Sequence, residues 1–301
     1  MKKIVITGAL GYSGKYVAEK LIQEGKEVKT ITNSLHKANP FGEKLKIEPF
    51  NFDRPDELTK SLQGYDVLVN TYWVRFNHSG FNHSQAVTNT KIMIDCAKKA
   101  GIKKFIHVSI TNPSINSKLE YFRGKAELED YLIHSRLNYS IIRPAVLFGN
   151  GDILINNISW MLKHMPVMGI FGKGDYRLQP IHIDDFVEII TEEIEREENN
   201  ILNAIGLETF TYKELIVKLM EIFNIRKRII NVSPIVGYYI GKFISFLKHD
   251  VTITREEIKG LMDDLLYVDD VPKGKIKLTE WAKENKNILG EEYASELSRR
   301  R

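Results

Sequence analysis

At 301 residues, with 43% apolar and 27% charged side chains, the chain has the composition of a soluble globular protein, long enough for one large domain or two smaller ones. Its formal charge of +4 at pH 7 is too small to argue for nucleic acid, and no basic patch interleaved with aromatics marks such a partner. The one cysteine, Cys96, excludes an internal disulfide framework and reads as a buried structural thiol in a reducing, cytoplasmic compartment.

MKK runs directly into a strand-like IVIT, a beginning that predicts no secretory leader. The glycine-rich GALGYSG follows, then the amphipathic KYVAEKLIQEG and a second strand, EVKTIT. Gly8, Gly11 and Gly14 are spaced G-x-x-G-x-x-G, with Leu10 and Tyr12 between them. Gly8 permits a tight turn, Gly11 lets backbone approach a pyrophosphate, and Gly14 lets helix pack on strand. Amides at the helix start then face the phosphate charge. At the end of the second strand, where an acid would hold a ribose 2′-hydroxyl, TITNSLHK offers Asn33, Ser34, His36 and Lys37. A carboxylate would repel a 2′-phosphate, so its absence beside Lys37 favours NADP(H) over NAD(H).

KLKIEPF, DELTKSLQG, YDVLVNTYW, SQAVTNTKIMIDCAKKAG and KKFIHVSI continue the alternation of strand and helix. That spacing implies right-handed crossovers and an α/β fold, a doubly wound parallel sheet. The next helix, SKLEYFRGKAELEDYL, places Tyr121 and Lys125 one turn apart on one face. An ammonium close to a phenol favours the phenolate.

IIRPAVLFG reads as a sixth strand, and ILINNISWMLKHM as a helix beyond the sheet. In QPIHIDDF, His182 precedes Asp184 and Asp185, which resemble caps for the helix FVEIITEEIE, so the histidine reads as a hinge residue between domains. Asp175 and Arg177 can touch a polar substrate or sit in a solvated loop. TFTYKELIVKLMEIF and TREEIKGLMDDLL are further amphipathic helices. VSPIVGYYIGKFISFL is too short and too polar to span a membrane; a lobe or lid helix is weighed above surface attachment. The closing SRRR reads as a solvated tail, and no ligand pattern suggests a metal.

TGALGYSG, FIHVSITN, YFRGK, IRPAVLFG and QPIHIDDF, in that order, resemble the short-chain dehydrogenase/reductase superfamily in its extended or atypical branch. Within it the chain is similar to NAD-dependent epimerase/dehydratase-like proteins and to the NAD(P)H-binding accessory subunit of respiratory complex I. The resemblance implies catalysis by Tyr121 and Lys125, with Ser109 (and Thr111 nearby) orienting a substrate oxygen. It places Asn51 and Phe52 at the adenine, Thr71 and Tyr72 at the cofactor's edge, and backbone from Pro144 to Val146 at the nicotinamide carboxamide. Tyr72 and Trp73 either narrow a substrate pocket or pack the sheet end. The family's relay asparagine falls on Ala86, with Asn89 one turn on.

The implied architecture is a Rossmann domain of residues 1–149 plus about 183–206, with a smaller, mainly helical substrate lobe of about 150–182 plus 207–301. The implied activity is NAD(P)-dependent oxidation, reduction or epimerisation of a small molecule at a hydroxyl or carbonyl carbon, with a homodimer as the candidate assembly. The alternative is a non-catalytic NAD(P)H-binding accessory or redox-sensing protein.

Overall fold

The computed structural model describes residues 2–78 and 80–298. The three arginines of the closing SRRR lie outside the described residues. Two compact units emerge: Met1–Pro144 with Val187–Leu202, and Ala145–Phe186 with Asn203–Arg301.

The first unit is built on β1 (Lys3–Thr7), β2 (Glu27–Ile31), β3 (Leu45–Glu48), β4 (Val67–Asn70), β5 (Lys104–Val108), β6 (Asn138–Pro144) and, at its edge, β11 (Asn200–Ala204). Their order is β11-β6-β5-β4-β1-β2-β3, and every pairing from β3 to β6 is parallel. β4 is buried at all four positions, which is why VLVN reads as an unbroken apolar run ending in one asparagine. The strand order reverses between β1 and β4, and ligands of such sheets bind at this switch point, beyond the carboxyl ends of the strands.

The crossover helices are α1 (Tyr12–Gln23), α2 (Pro55–Leu62), α3 (His83–Ala100) and α4 (Glu120–His134). Their ends are written locally. Pro55 opens α2, with Asp56 and Glu57 in its first turn. Asn82 caps α3 by accepting from the Gln85 amide, and Gly101 closes it in the left-handed region. Between sheet and helices Leu58, Leu68, Met93, Phe105 and Ile141 form a closed core. Cys96 belongs to it, and burial raises its thiol pKa.

The second unit contains α5 (Leu154–His164), α7 (Tyr212–Phe223), α8 (Pro234–Lys248), α9 (Arg255–Met262) and α10 (Leu278–Glu284). Thr211 and Thr254 each form a complete capping box, opening α7 and α9. Three two-stranded sheets join the helices: β7 (Val146–Phe148) with β10 (Pro180–His182), β8 (Val167–Phe171) with β13 (Arg228–Val232), and β9 (Arg177–Leu178) with β12 (Phe210–Thr211). The IIRPAVLFG run is therefore two strands: β6 ends at Pro144 and β7 pairs with β10 instead. α6 (Ile183–Glu195) begins before Asp184 and Asp185, so both lie in its first turn and do not cap it. Asp185 instead accepts from the Lys275 and Ile276 amides.

Candidate functional site

The glycine turn sits where β1 meets α1. Gly8 has φ +68°, a conformation open to glycine, and its carbonyl accepts from the Gly11 amide at 2.8 Å. A Cβ on Gly14 would run into that carbonyl, so only glycine lets the helix start so close to the strand. Thr30 secures the turn from the neighbouring strand, accepting from the Ala9 amide at 3.1 Å and donating to the Ile6 carbonyl at 2.8 Å. No side chain caps α1 at Gly11 and no acid lies in its first turn. The positive end of the helix dipole is thus left for an anion. Leu10 and Tyr12 flank this opening, both half-buried.

One hydroxyl ties β1 to β4 at the switch point. Thr7 donates to Asn70 and accepts from the amides of Thr71 at 2.7 Å and Tyr72 at 2.9 Å. This fixes the backbone after β4 along the glycine turn. Tyr72 then packs among Phe50, Phe52 and Phe81, its phenol bonded by Asn89 and pushed up to about 12 by burial. Asn89 is therefore committed to Tyr72. Asn51 takes φ +50°, and its side-chain oxygen accepts from Arg54 at 2.9 Å, which leaves that oxygen a second lone pair. Past β2, the Thr32 hydroxyl accepts from the Ser34 amide, and Ser34 and Lys37 close a turn beside exposed Asn33.

β5 and α4 bring the proposed chemistry together. Ser109 follows β5, held by its amide to the Ile142 carbonyl at 2.7 Å. Its hydroxyl is buried and has no hydrogen-bond partner. Lys125 is 2% exposed and donates to the Val108 carbonyl, the peptide just before Ser109, at 2.7 Å. Burial pushes its ammonium down to about 7, with partial relief from the Glu129 carboxylate one turn on. Burial first, and then the same cation, hold His107 well below its ordinary range, and His107 bonds Asn70.

Trp73 completes the cluster. Its ring lies 4.3 Å below the Lys125 ammonium, meets Tyr121 edge-on at 5.5 Å, and stacks on His83 at 5.7 Å. Gly124 makes this possible, since a Cβ there would come within 3.0 Å of the indole. His83 also meets the Tyr121 ring edge-on at 5.6 Å. The Trp73 indole nitrogen and both His83 ring nitrogens are buried without hydrogen bonds, as is the Ser109 hydroxyl. A polar group placed among them would satisfy the Trp73 and Ser109 donors, His83 already having the Glu120 carboxylate 3.7 Å from its Nδ1, so these residues, with the open glycine turn, fit a dinucleotide and a polar substrate.

Ser109, Tyr121 and Lys125 thus share one end of the sheet with the glycine turn, Thr71 and Pro144. Val146 belongs to the second unit, buried in β7. There His182 packs its ring on Phe148 at 5.0 Å and Trp281 at 5.8 Å, contacts inside one unit where sequence suggested a hinge. Arg177 is taken by Asp264 and lies on the Tyr267 ring, while Asp175 is exposed. Sequence reasoning missed Thr7, Thr30 and His83. For Thr7 and Thr30 the only signal available was their polarity within apolar strands, and His83, between Asn82 and Ser84, gave none.

The first unit is a Rossmann-like α/β domain whose glycine turn is open to a dinucleotide phosphate. Residues 8–157 match the NAD(P)H-binding family model, so the chain carries an NAD(P)H-binding domain. NADH dehydrogenase (ubiquinone) 1 alpha subcomplex subunit 9, mitochondrial, of Arabidopsis thaliana is 24% identical over 193 residues, 62% of this chain and 48% of its own. Photosystem II assembly factor Ycf39 of Cyanophora paradoxa is 30% identical over 148 residues, 48% of this chain and 46% of its own. The chain spans about half the length of both. Among solved structures, the triphenylmethane reductase of Citrobacter sp. superposes with a TM-score of 0.75 at 15% identity, over 95% of this chain and 100% of that one. A nucleoside-diphosphate-sugar epimerase from Staphylococcus aureus superposes with 0.73 at 15% identity, over 98% of both chains. At such identities the likeness is one of fold. No helix among the described residues is long and apolar enough to cross a membrane.

Proposed function

We propose that the chain is an NAD(P)-dependent oxidoreductase or epimerase acting at a hydroxyl or carbonyl carbon of a small molecule, with NADP(H) preferred over NAD(H). Gly8, Gly11 and Gly14, with Leu10 and Tyr12, would cradle the pyrophosphate, and Asn33, Ser34 and Lys37 the adenosine ribose and its phosphate. Asn51 and Phe52 would meet the adenine, Thr71 and Tyr72 the cofactor's edge, and Pro144 the carboxamide. When bound, the nicotinamide supplies or accepts the hydride. Tyr121 exchanges a proton with the substrate oxygen, and the Ser109 hydroxyl donates to that oxygen. In its protonated form Lys125, one turn along from Tyr121, favours the phenolate. The carrying observation is the Ser109 hydroxyl: buried, unpartnered, and beside the very peptide that Lys125 holds.

A second reading, a non-catalytic NAD(P)H-binding accessory protein, is favoured by the Trp73 ring lying over Lys125 and against Tyr121. Similarity to a complex I subunit points the same way. The deciding experiment titrates wild type and Tyr121→Phe with NADPH and NADH by calorimetry, then follows NADPH oxidation with a panel of carbonyl compounds. The enzyme reading expects tighter NADPH binding, equal affinity in both proteins, and turnover lower by about 10²-fold or more in the variant. Equal binding with equal turnover rates, or with none in either protein, removes the catalytic role.

A further inference from the structure

α8 is built inside out. Its inward positions are small: a Cβ on Gly237 would strike the Phe171 ring, and one on Gly241 would come within 2.7 Å of Ile253. The only large apolar side chain it buries is Ile244. Its large apolar side chains point away, with Ile235 70%, Tyr239 57%, Phe243 63%, Phe246 78% and Leu247 57% exposed. At 3.6 residues per turn, the exposed apolar side chains from Ile235 to Leu247 cover an arc of roughly 140°. Among the described residues, the other exposed large apolar side chains are isolated along the sequence, and these are not. Ser233 caps the start and His249, in the left-handed conformation, closes the end, so the helix is specified as a helix.

The stretch of sequence that carries this face has charge of one sign. Residues 222–249 contain Arg226, Lys227, Arg228, Lys242 and Lys248 and no acid at all. By the helical repeat, Lys242 falls at the margin of the apolar arc, and it is exposed. Arg226 and Arg228 are exposed at the start of β13, which leads straight into the helix. Asp250, the first acid after the helix, is buried and accepts from Glu296, Leu297 and Tyr293. A protein partner would have to match an apolar arc and a cationic margin together. A bilayer bearing anionic headgroups matches both without further design.

We propose that α8 is the face by which this protein lies on an anionic lipid bilayer: its aromatic and aliphatic arc enters the headgroup boundary, and Lys242 with Arg226 and Arg228 meets the headgroup charge. At 15 residues it lies in the surface and does not cross it. The proposal is independent of the hydride-transfer reading and stands whether or not Tyr121 is catalytic.

The test is flotation of the full chain with phosphatidylcholine vesicles, with and without about one third phosphatidylglycerol, at low and high salt. Binding is expected with the anionic vesicles, weakened by salt, and lowered about tenfold or more by Phe243→Ser with Phe246→Ser. Lys242→Glu should weaken it several-fold while leaving binding to neutral vesicles unchanged. Circular dichroism melting checks that the double variant is folded; if it is not, the solvent-exposed Lys242→Glu carries the test. Flotation no better with anionic than with neutral vesicles overturns the proposal, and so does undiminished flotation of the folded double variant. Concentration-dependent self-association in sedimentation, abolished by that variant in the absence of lipid, would assign the face to a second copy instead.

Discussion

Lys125 carries the largest electrostatic tension at the site, and its sign can be followed in solution. Its folded pKa lies near 7, far below the ordinary 10.5 of a lysine. Between those values the unfolded chain holds a proton that the folded chain has released, so stability rises as pH rises across that window. The ligand-free protein should therefore gain thermal stability from pH 7 toward pH 9, and Lys125→Met should remove that gain and be less destabilised at pH 6 than at pH 9. An unchanged pH profile in the methionine variant would refute the buried ammonium. Two glycines of the same turn separate packing from binding. Gly14→Ala forces α1 off the Gly8 carbonyl and should cost about 1–3 kcal/mol in chemical denaturation. Gly11 has an ordinary φ of −95° and is exposed, but a Cβ there would lie 3.2 Å from the Gly8 carbonyl, so Gly11→Val should lose some stability, still fold, and lose NADPH binding. Retained affinity in that variant would move the pyrophosphate elsewhere.

The strands and helices differ in how far their sequence announces them. α3, α7 and α9 carry their own stop and start signals within a few residues, in Asn82, Gly101, Thr211 and Thr254, and were legible. β8 and β13 were not. Each is five residues long, and Val167 finds its partner at Arg228, a pairing that no local pattern encodes. α10, seven residues without a side-chain cap, was equally silent. EVKTIT looked like a strand, but nothing in it marked Lys29 as 2% exposed. Its ammonium is held by Glu48 at 3.1 Å and by the Ser61 side chain and carbonyl, joining β2, β3 and α2. Burial lowers the Lys29 pKa, more than Glu48 raises it. Burial would raise Glu48 too, yet bonds from Lys46, Ser61 and Lys29 hold it down to about 2. Because the folded Glu48 pKa lies below its ordinary 4.5, its stabilisation is full above that value and is lost as pH falls toward 2. Glu48→Ala leaves a buried cation unpaired and should cost about 2 kcal/mol or more in urea unfolding at neutral pH. Lys29→Met in the same chain should restore part of it, and strictly additive losses would show that the pair is not coupled.

At the scale of the whole chain, two cores fold from interleaved stretches of sequence, and the candidate site belongs to the first. The glycine turn was legible because strand, glycines and helix are contiguous. The relation of Trp73 to Lys125 was not, because it depends on how the segment after β4 packs onto α4, across 52 positions and through the gap left by Gly124. That relation makes Trp73 a reporter. The chain has three tryptophans, and the other two, Trp160 and Trp281, lie in the second unit. In Trp160→Phe with Trp281→Phe, emission follows the dinucleotide-binding unit alone. A ligand that binds only the folded state adds RT ln(1 + [L]/Kd), about 2.7 kcal/mol at a hundredfold excess over Kd. For a unit of this size that is a rise of about 5 °C or more in the midpoint read through Trp73. Each further tenfold of NADPH should add about 1.4 kcal/mol, and NADH the same increments from a higher starting concentration. If the Trp73 midpoint stays fixed while calorimetry shows NADPH bound, the cofactor is held outside the unit that carries the glycine turn, and the roles given to Ser109, Tyr121 and Lys125 go with it.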